Sequence, residues 1–466
     1  MKPNDSLHVS QLRVVLHLCG FLVLLYSLSM LPPMVIALLN KERTYFAFLT
    51  TFLTFFSLGG LTWRATRHAG IQLRTRDGFV IIVLFWLLFS LISAMPLWMD
   101  DGLQLSFADA LFEGVSGITT TGATVIGDVS ALPKSYLYYR AQLNFIGGLG
   151  VIVLAVAVLP LSEMPGPFKE ERLTPRLADT ARTLWVTYFA LGVACTLAYW
   201  LAGMSFFDAV CHGLSTVSLG GFSTRSESIG FYDSHAIELV AGAFSLLSAF
   251  NFTLWYVAIV RRTLKPIRRS PEVKFFLSAA AAIILITAWQ VWHAGMYSPT
   301  DSLVHAFFLA SSMMTDNGLS TADYAQGGCV GSTCGGIKAL RFLIMFKQSI
   351  QEMNQLAHPR ALLSIKVGKS VVNERVLRSV WSFFFLYVMI TGFFVWALNL
   401  MGYDLFTSFA TVAACINNMG LGFGETASTF GTLTEGAKLL MCAAMILGRL
   451  EIYPVLILFS RFFWRA

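Results

Sequence analysis

The sequence is poor in charge. Only 13% of its 466 residues are Asp, Glu, Lys or Arg, where a soluble domain carries about 25%. With 56% hydrophobic residues, this excludes an ordinary soluble protein and points to a polytopic membrane protein. No stretch between apolar runs is long enough for a separate soluble domain. Cysteine spacing is uninformative as well: Cys19, Cys195, Cys211, Cys329, Cys334, Cys415 and Cys442 form no C-x-x-C and no Cys/His ligand pattern. Neither a disulfide framework nor a metal centre is indicated. Enzyme signatures are missing: there is no H-E-x-x-H, nucleophile elbow or phosphate-binding glycine loop. The hydroxyl-rich Thr119–Thr124 lacks a nearby base, so an enzyme is not expected. The net charge of +7 lies in loops and does not read as a nucleic-acid surface.

What the chain does have is one short unit, four times over. Ala108–Thr124, Phe207–Thr224, Leu303–Thr321 and Phe406–Gly424 each run from a small-residue-rich apolar segment into a glycine loop. Gly122, Gly221, Gly318 and Gly420 serve as anchors, 99, 97 and 102 residues apart. Twelve residues upstream of each lies a small residue (Ala110, Ala209, Ala306, Ser408). Six upstream lies another (Ser116, Ser215, Ser312, Ala414), and three upstream a short polar one (Thr119, Ser218, Thr315, Asn417). Matched offsets at so long a period predict a fourfold internal duplication. An apolar segment of about 10–14 residues is too short to span a bilayer and reads as re-entrant. Irregular backbone at that depth must be buried in protein or line a water-filled cavity. Four such loops around an axis would form rings of carbonyl oxygens able to replace the hydration shell of a monovalent cation. Any one loop alone would read as a turn between helices.

Apolar runs over Leu12–Leu39 and Thr44–Trp63 predict a helical hairpin, the first a retained helix rather than a cleaved signal. Pro32 and Pro33 predict that the first helix kinks or ends early. Further spans are expected at Phe79–Trp98 and Tyr136–Leu159, at Leu184–Leu201 and Ala236–Val260, at Phe275–Trp292, and at Val380–Leu400 and Ala437–Phe459. The predicted fold is an all-α membrane protein of four pseudo-repeats: residues 71–170, 171–265, 266–350 and 351–466, after a hairpin over 1–70. Lys and Arg crowd the joins between units (Arg64 to Arg76, Lys169 to Arg182, Arg261 to Lys274, Lys338 to Arg378), which makes those faces cytoplasmic. The glycine loops then open outward beside Asp100, Asp101, Asp109, Asp128, Asp208, Asp233 and Glu425. An acidic mouth concentrates cations; ordinary solvated loop charge accounts for any one of these acids equally well.

The stretches FEGVSGITTTGATV, GGLGVIVLAVAVLPL, EMPGPFK, GGFSTRSESIGFYDS, GGCVGSTCGGIK and LGRLEIYPVLILF resemble the Trk/Ktr/HKT superfamily of potassium transporters, and within it the bacterial TrkH-type membrane subunit. The resemblance covers nearly the whole chain. It implies potassium uptake across the bacterial inner membrane, with K+ as the transported ion and no organic cofactor. It also implies a homodimer partnered by a cytosolic nucleotide-binding regulatory subunit of the TrkA type. Carried over, the selectivity filter is Thr119, Thr120, Thr121 and Gly122; Ser218, Leu219, Gly220 and Gly221; Thr315, Asp316, Asn317 and Gly318; Asn417, Asn418, Met419 and Gly420. In the family a glycine at the first filter, here Gly122, goes with potassium and a serine with sodium. The gate implied is an intramembrane loop of Gly327, Gly328, Gly331, Ser332, Thr333, Gly335, Gly336 and Lys338, with Arg449 beside it. Five glycines make that loop a poor helix. An arginine inside an apolar span is a functional-site hypothesis by default; the alternative is an ion pair with Glu451, although residues two apart lie on different helix faces.

Unit three departs from the family. Between Gly318 and Gly331 lie twelve mostly small or polar residues, which cannot form a membrane helix. The outer half of that unit's second span is therefore expected to be missing. Asp316 either adds a strong cation site or faces away from the pore, and Cys334 replaces a usual glycine. Glu113 is the candidate for proton coupling, or else holds its helix by hydrogen bonds; channel-like and symport mechanisms both remain open. Beside potassium uptake stand two alternatives: a transport-impaired or regulatory pore subunit, and a carrier of sodium or another monovalent cation. The basic, partly amphipathic Leu340–Arg378 is expected to dock a cytosolic partner or lie on anionic lipid.

Overall fold

A computed structural model of the chain describes residues 3–67, 75–158, 177–250, 252–321, 339–358, 364–367, 370–461 and 463. Pro3–Ser27 and Leu31–Leu39 form the first arm of the N-terminal hairpin, and Tyr45–Ala65 the second. Between the first two helices the chain tightens into a 3-10 turn, Leu28–Met30. Pro32 and Pro33 then open Leu31–Leu39, a position where the missing N–H costs nothing. The prolines thus restart a helix instead of kinking one. The hairpin packs on unit one, with Phe48 against Tyr136 and Tyr139 at ring distances of 5.3 and 5.1 Å.

Unit one consists of Thr75–Trp98, the short helix Phe107–Ile118 and Lys134–Val158. Unit two has Leu177–Leu201, Phe206–Val217, and then His235–Ser248 followed by Phe252–Val260. Unit three has Pro271–His293, Pro299–Met314 and Ala339–Ala357. Unit four has Glu374–Leu400, Leu405–Ile416, and then Glu435–Arg449 followed by Tyr453–Phe459. A two-residue antiparallel pair, Lys366–Val367 with Ser370–Val371, is the one strand element among the described residues. Six described helices are long and apolar enough to cross a membrane, or seven with the bent last pair. The second span of unit one packs on the short helix of unit two, that of unit two on unit three, and that of unit four on unit one.

Two expected spans are broken. The run Ala236–Val260 ends its first helix at Ser248 and resumes at Phe252. The run Ala437–Phe459 bends by 110° after Arg449. There Glu451 and Ile452 both take left-handed backbone (φ 54° and 66°), and Pro454 opens the next helix. Proline cannot extend the preceding helix, so the chain turns before it. The sequence carries polar residues at both breaks, Ser248 and Asn251 in the first and Arg449 and Glu451, with Pro454, in the second.

Candidate functional site

The four short helices start and stop alike. Each opens on a side-chain cap that accepts from the third residue inside: Ser106 from Asp109, Ser205 from Asp208, Ser298 from Asp301 and Asp404 from Thr407, at 3.0–3.3 Å. Such a cap contributes about 1 kcal/mol. In the first three helices the serine hydroxyl also donates back to the aspartate. All four helices end four residues before the anchor glycine. Three are 12 residues long, while the third has 16 and gains its extra turn at the outer end.

At the inner end every helix closes with the same motif. The N–H of the third loop residue returns to the carbonyl six residues before the anchor: Thr121 to Ser116, Gly220 to Ser215, Asn317 to Ser312 and Met419 to Ala414, at 2.8–3.0 Å. This bond requires a left-handed residue just before it, a place usually given to glycine. Here it is held by Thr120, Leu219, Asp316 and Asn418, with φ of 58°, 54°, 60° and 55°. The anchors Gly122, Gly221, Gly318 and Gly420 are left-handed again, at 80°, 75°, 74° and 76°. A non-glycine residue held there costs roughly 1–3 kcal/mol and persists only where its surroundings enforce it. Four copies of one strained loop are not four incidental turns.

The loops also meet. A Cβ placed on Gly122 would overlap the Gly220 carbonyl oxygen; on Gly221 that of Asn317; on Gly318 that of Met419; on Gly420 that of Thr121. Each anchor therefore presses on the third-position carbonyl of the next unit, and the fourth closes on the first. The expected filter residues form one ring. Four helix C-termini end at it, and their unpaired carbonyl ends carry partial negative charge.

Struts hold the ring from behind. Asn418 Nδ2 donates to Thr121 Oγ1 and to the Met445 carbonyl, both at 3.0 Å. Asn317 Nδ2 donates to Ser245 Oγ at 2.6 Å, and Asn144 Nδ2 to Ser215 Oγ at 3.2 Å. Tyr387 donates to Asn417 Oδ1 at 2.6 Å. Gly147 and Gly448 let their spans pass against the carbonyls of Ile118 and Ile416, where a Cβ would not fit. The second-position side chains of Thr120 and Asn418 lie against Gly147 and Gly448 of these spans. Asp316 shares their backbone conformation, and its buried Oδ1 has no hydrogen-bond partner.

Glu113 is fully buried and saturated. It accepts from Arg140 Nε at 2.7 Å, from the Thr124 hydroxyl at 3.1 Å and from the Val125 N–H at 3.0 Å. Arg140 also donates to the Ser223 carbonyl at 3.2 Å and lies over the Phe222 ring at 4.0 Å, tying unit one to unit two. Arg449 donates to the Gly147 carbonyl at 2.8 Å and faces the Trp86 ring at 5.5 Å. Glu451 pairs with Arg341 at 2.5 Å. Arg449 thus reaches from unit four to the foot of the first short helix. The gate-loop residues Gly327, Gly328, Gly331, Ser332, Thr333, Gly335, Gly336 and Lys338 lie outside the described residues.

A family model described as a cation transport protein, TrkH, matches residues 44–465. The chain belongs to the TrkH family. It is 67% identical to the Trk system potassium uptake protein TrkG of Escherichia coli K12, over 99% of this chain and 100% of that one. It is 42% identical to the TrkH protein of Halomonas elongata, over 97% and 99% of the two chains. The crystal structure of the potassium transporter TrkH from Vibrio parahaemolyticus superposes with a TM-score of 0.90, at 39% identity, over 98% of this chain and 100% of that one. The TrkG alignment runs over 485 positions, more than the 466 residues here, so that relative carries residues with no counterpart in this TrkH-family chain.

Sequence reasoning reached every ring residue but missed the struts. Asn144 and Arg140 had a signal, being polar or charged within apolar spans, where such groups mark specific contacts. Ser245 and Tyr387 had none.

Proposed function

We propose that this chain takes up potassium across the bacterial inner membrane through the ring of filter loops. One observation carries the reading: four loops of different sequence share one strained backbone and close on one another. Alternating right- and left-handed residues turn successive carbonyls toward the same side of a strand. Four such strands facing an axis would offer stacked carbonyl rings in place of a hydration shell. The four helix C-termini add a field that favours a cation. The names of the relatives, all Trk system potassium uptake proteins, support potassium as the ion. Selection falls to the ring, with Gly122 as its first strand's anchor.

Arg449 acts as a cation barrier at the inner end of the ring, with the loop Gly327–Lys338 as its gating partner. A homodimer and a separate nucleotide-binding regulatory chain complete the assembly; the exposed apolar residues Phe346, Ile350 and Met353 on Ala339–Ala357 are available to protein or lipid. Saturation of Glu113 favours the helix-holding role over proton coupling. A second reading keeps the scaffold with impaired conduction. It is favoured by the alignment longer than the chain, which we place between Gly318 and Gly331.

The test is rubidium uptake into proteoliposomes with sodium as competitor, for the natural chain and Gly122→Ser. Rubidium-selective uptake that loses its preference in the variant is expected. No uptake from the folded natural chain would establish the impaired reading instead.

A further inference from the structure

Two seams between units are closed by an ion pair at matched places. In both, one partner is the fourth residue of a second span, and the other lies thirteen residues before the next anchor glycine. At the seam of units four and one, Lys438 Nζ meets Asp109 Oδ1 at 2.6 Å. At the seam of units two and three, Glu238 Oε2 meets His305 Nδ1 at 2.8 Å. The polarity is inverted and the cation is an imidazole. At the seam of units one and two the equivalent place holds Leu137, and Asp208 pairs instead with Arg225 of its own unit at 3.1 Å.

The inverted seam leads directly to the filter. The helix of His305 runs into Thr315–Gly318. The helix of Glu238 carries Ser245 two turns further in, where it accepts from Asn317. The Asn317 carbonyl is the one that faces Gly221 across the ring. The two bonds together fix the third strand against the second. We propose that His305 is a positioning residue for the third filter strand, and that its pairing with Glu238 makes ion preference depend on the pH of the outer face. This rests on the filter reading above.

The surroundings of His305 set the sign. The Glu238 hydrogen bond, and the charges of Glu238, Asp301 and Asp233, favour the imidazolium and outweigh the opposing effect of burial, so its proton affinity is raised from the ordinary histidine value. His235 faces it at a ring distance of 5.7 Å and lies 3.6 Å from Asp301. Tyr297 packs on it at 4.7 Å. His293, ending the adjacent span, is taken up by Trp289 and Trp292. The charge on the pair is therefore present at low pH and is lost as pH rises through the raised value.

The experiment measures rubidium over sodium uptake at outer pH 6 and 9, for the natural chain, His305→Ala, and the reciprocal double variant Glu238→Lys with His305→Asp, which copies the Lys438–Asp109 seam. The preference of the natural chain should fall several-fold at pH 9. His305→Ala should be low and flat, and the reciprocal variant high and flat. A flat profile in the natural chain, or a slope that survives in His305→Ala, would overturn the proposal. Zero uptake at every pH marks failure of the filter reading instead. In that case a thermal-unfolding cycle on residues 238 and 305 decides the seam: coupling at pH 6 that vanishes at pH 9 upholds it, and no coupling at pH 6 overturns it.

Discussion

Units one and three build the same ring strand on different foundations. In unit one a buried carboxylate on the short helix is met by an arginine of the same unit's second span, and the carboxylate also accepts from the strand's exit at Thr124 and Val125. In unit three the place of Glu113 is taken by Leu309, and the braces across units among the described residues come from unit two. Ser245 holds Asn317, Glu238 holds His305, and the Ile229 and Gly230 N–H groups donate to the Ser320 carbonyl. Yet Thr120 and Asp316 have the same φ to within 2° (58° and 60°), and Gly122 and Gly318 agree to within 6° (80° and 74°). The strand's shape is therefore written into the helix end and the ring closure. The unit's own second span is one way of bracing it, and a neighbour's span is another.

The comparison breaks most severely at Glu113. Glu113→Ala leaves the Arg140 guanidinium buried without its carboxylate, which costs roughly 3–5 kcal/mol. A large drop in the thermal midpoint of the purified protein is expected; an unchanged midpoint would mean that unit one is not braced from within. Ser245→Ala sharpens the other half. It removes the acceptor of a buried amide, for about 1–3 kcal/mol, and should lower ion preference because it acts on a filter strand from outside its unit. Preserved preference with lowered stability would confine Ser245 to packing. The smallest effect is expected for Asp316→Asn. The variant relieves a buried carboxylate oxygen that has no partner and keeps the left-handed backbone that Asn418 already tolerates. Stability should be unchanged or raised and preference kept. A lost preference would show that the carboxylate contacts the ion.

The ring was legible in the sequence because its requirements are local. A helix end that returns a bond to the sixth residue before the anchor wants that residue small, and Ser116, Ser215, Ser312 and Ala414 meet the need. A loop pressed on a neighbouring carbonyl wants glycine, and all four anchors supply it. The caps Ser106, Ser205 and Ser298 could have been read three residues before an aspartate. The rest depends on partners distant in sequence. Nothing near Ser245 announces Asn317, and the proline that turns the last span lies within a run long enough to be read as one span. The extra turn of Pro299–Met314 was hidden because the anchors align the helices at their inner ends, while that helix is extended at its outer one.

Ion-dependent thermal stabilisation of the purified chain, read with potassium and with sodium, tests the central claim without requiring transport. A ligand that binds only the folded state raises its stability in step with its occupancy. Potassium should raise the midpoint saturably and more than sodium does, and Gly122→Ser should erase the difference. Equal responses to the two ions in the natural chain would contradict a potassium-selective ring.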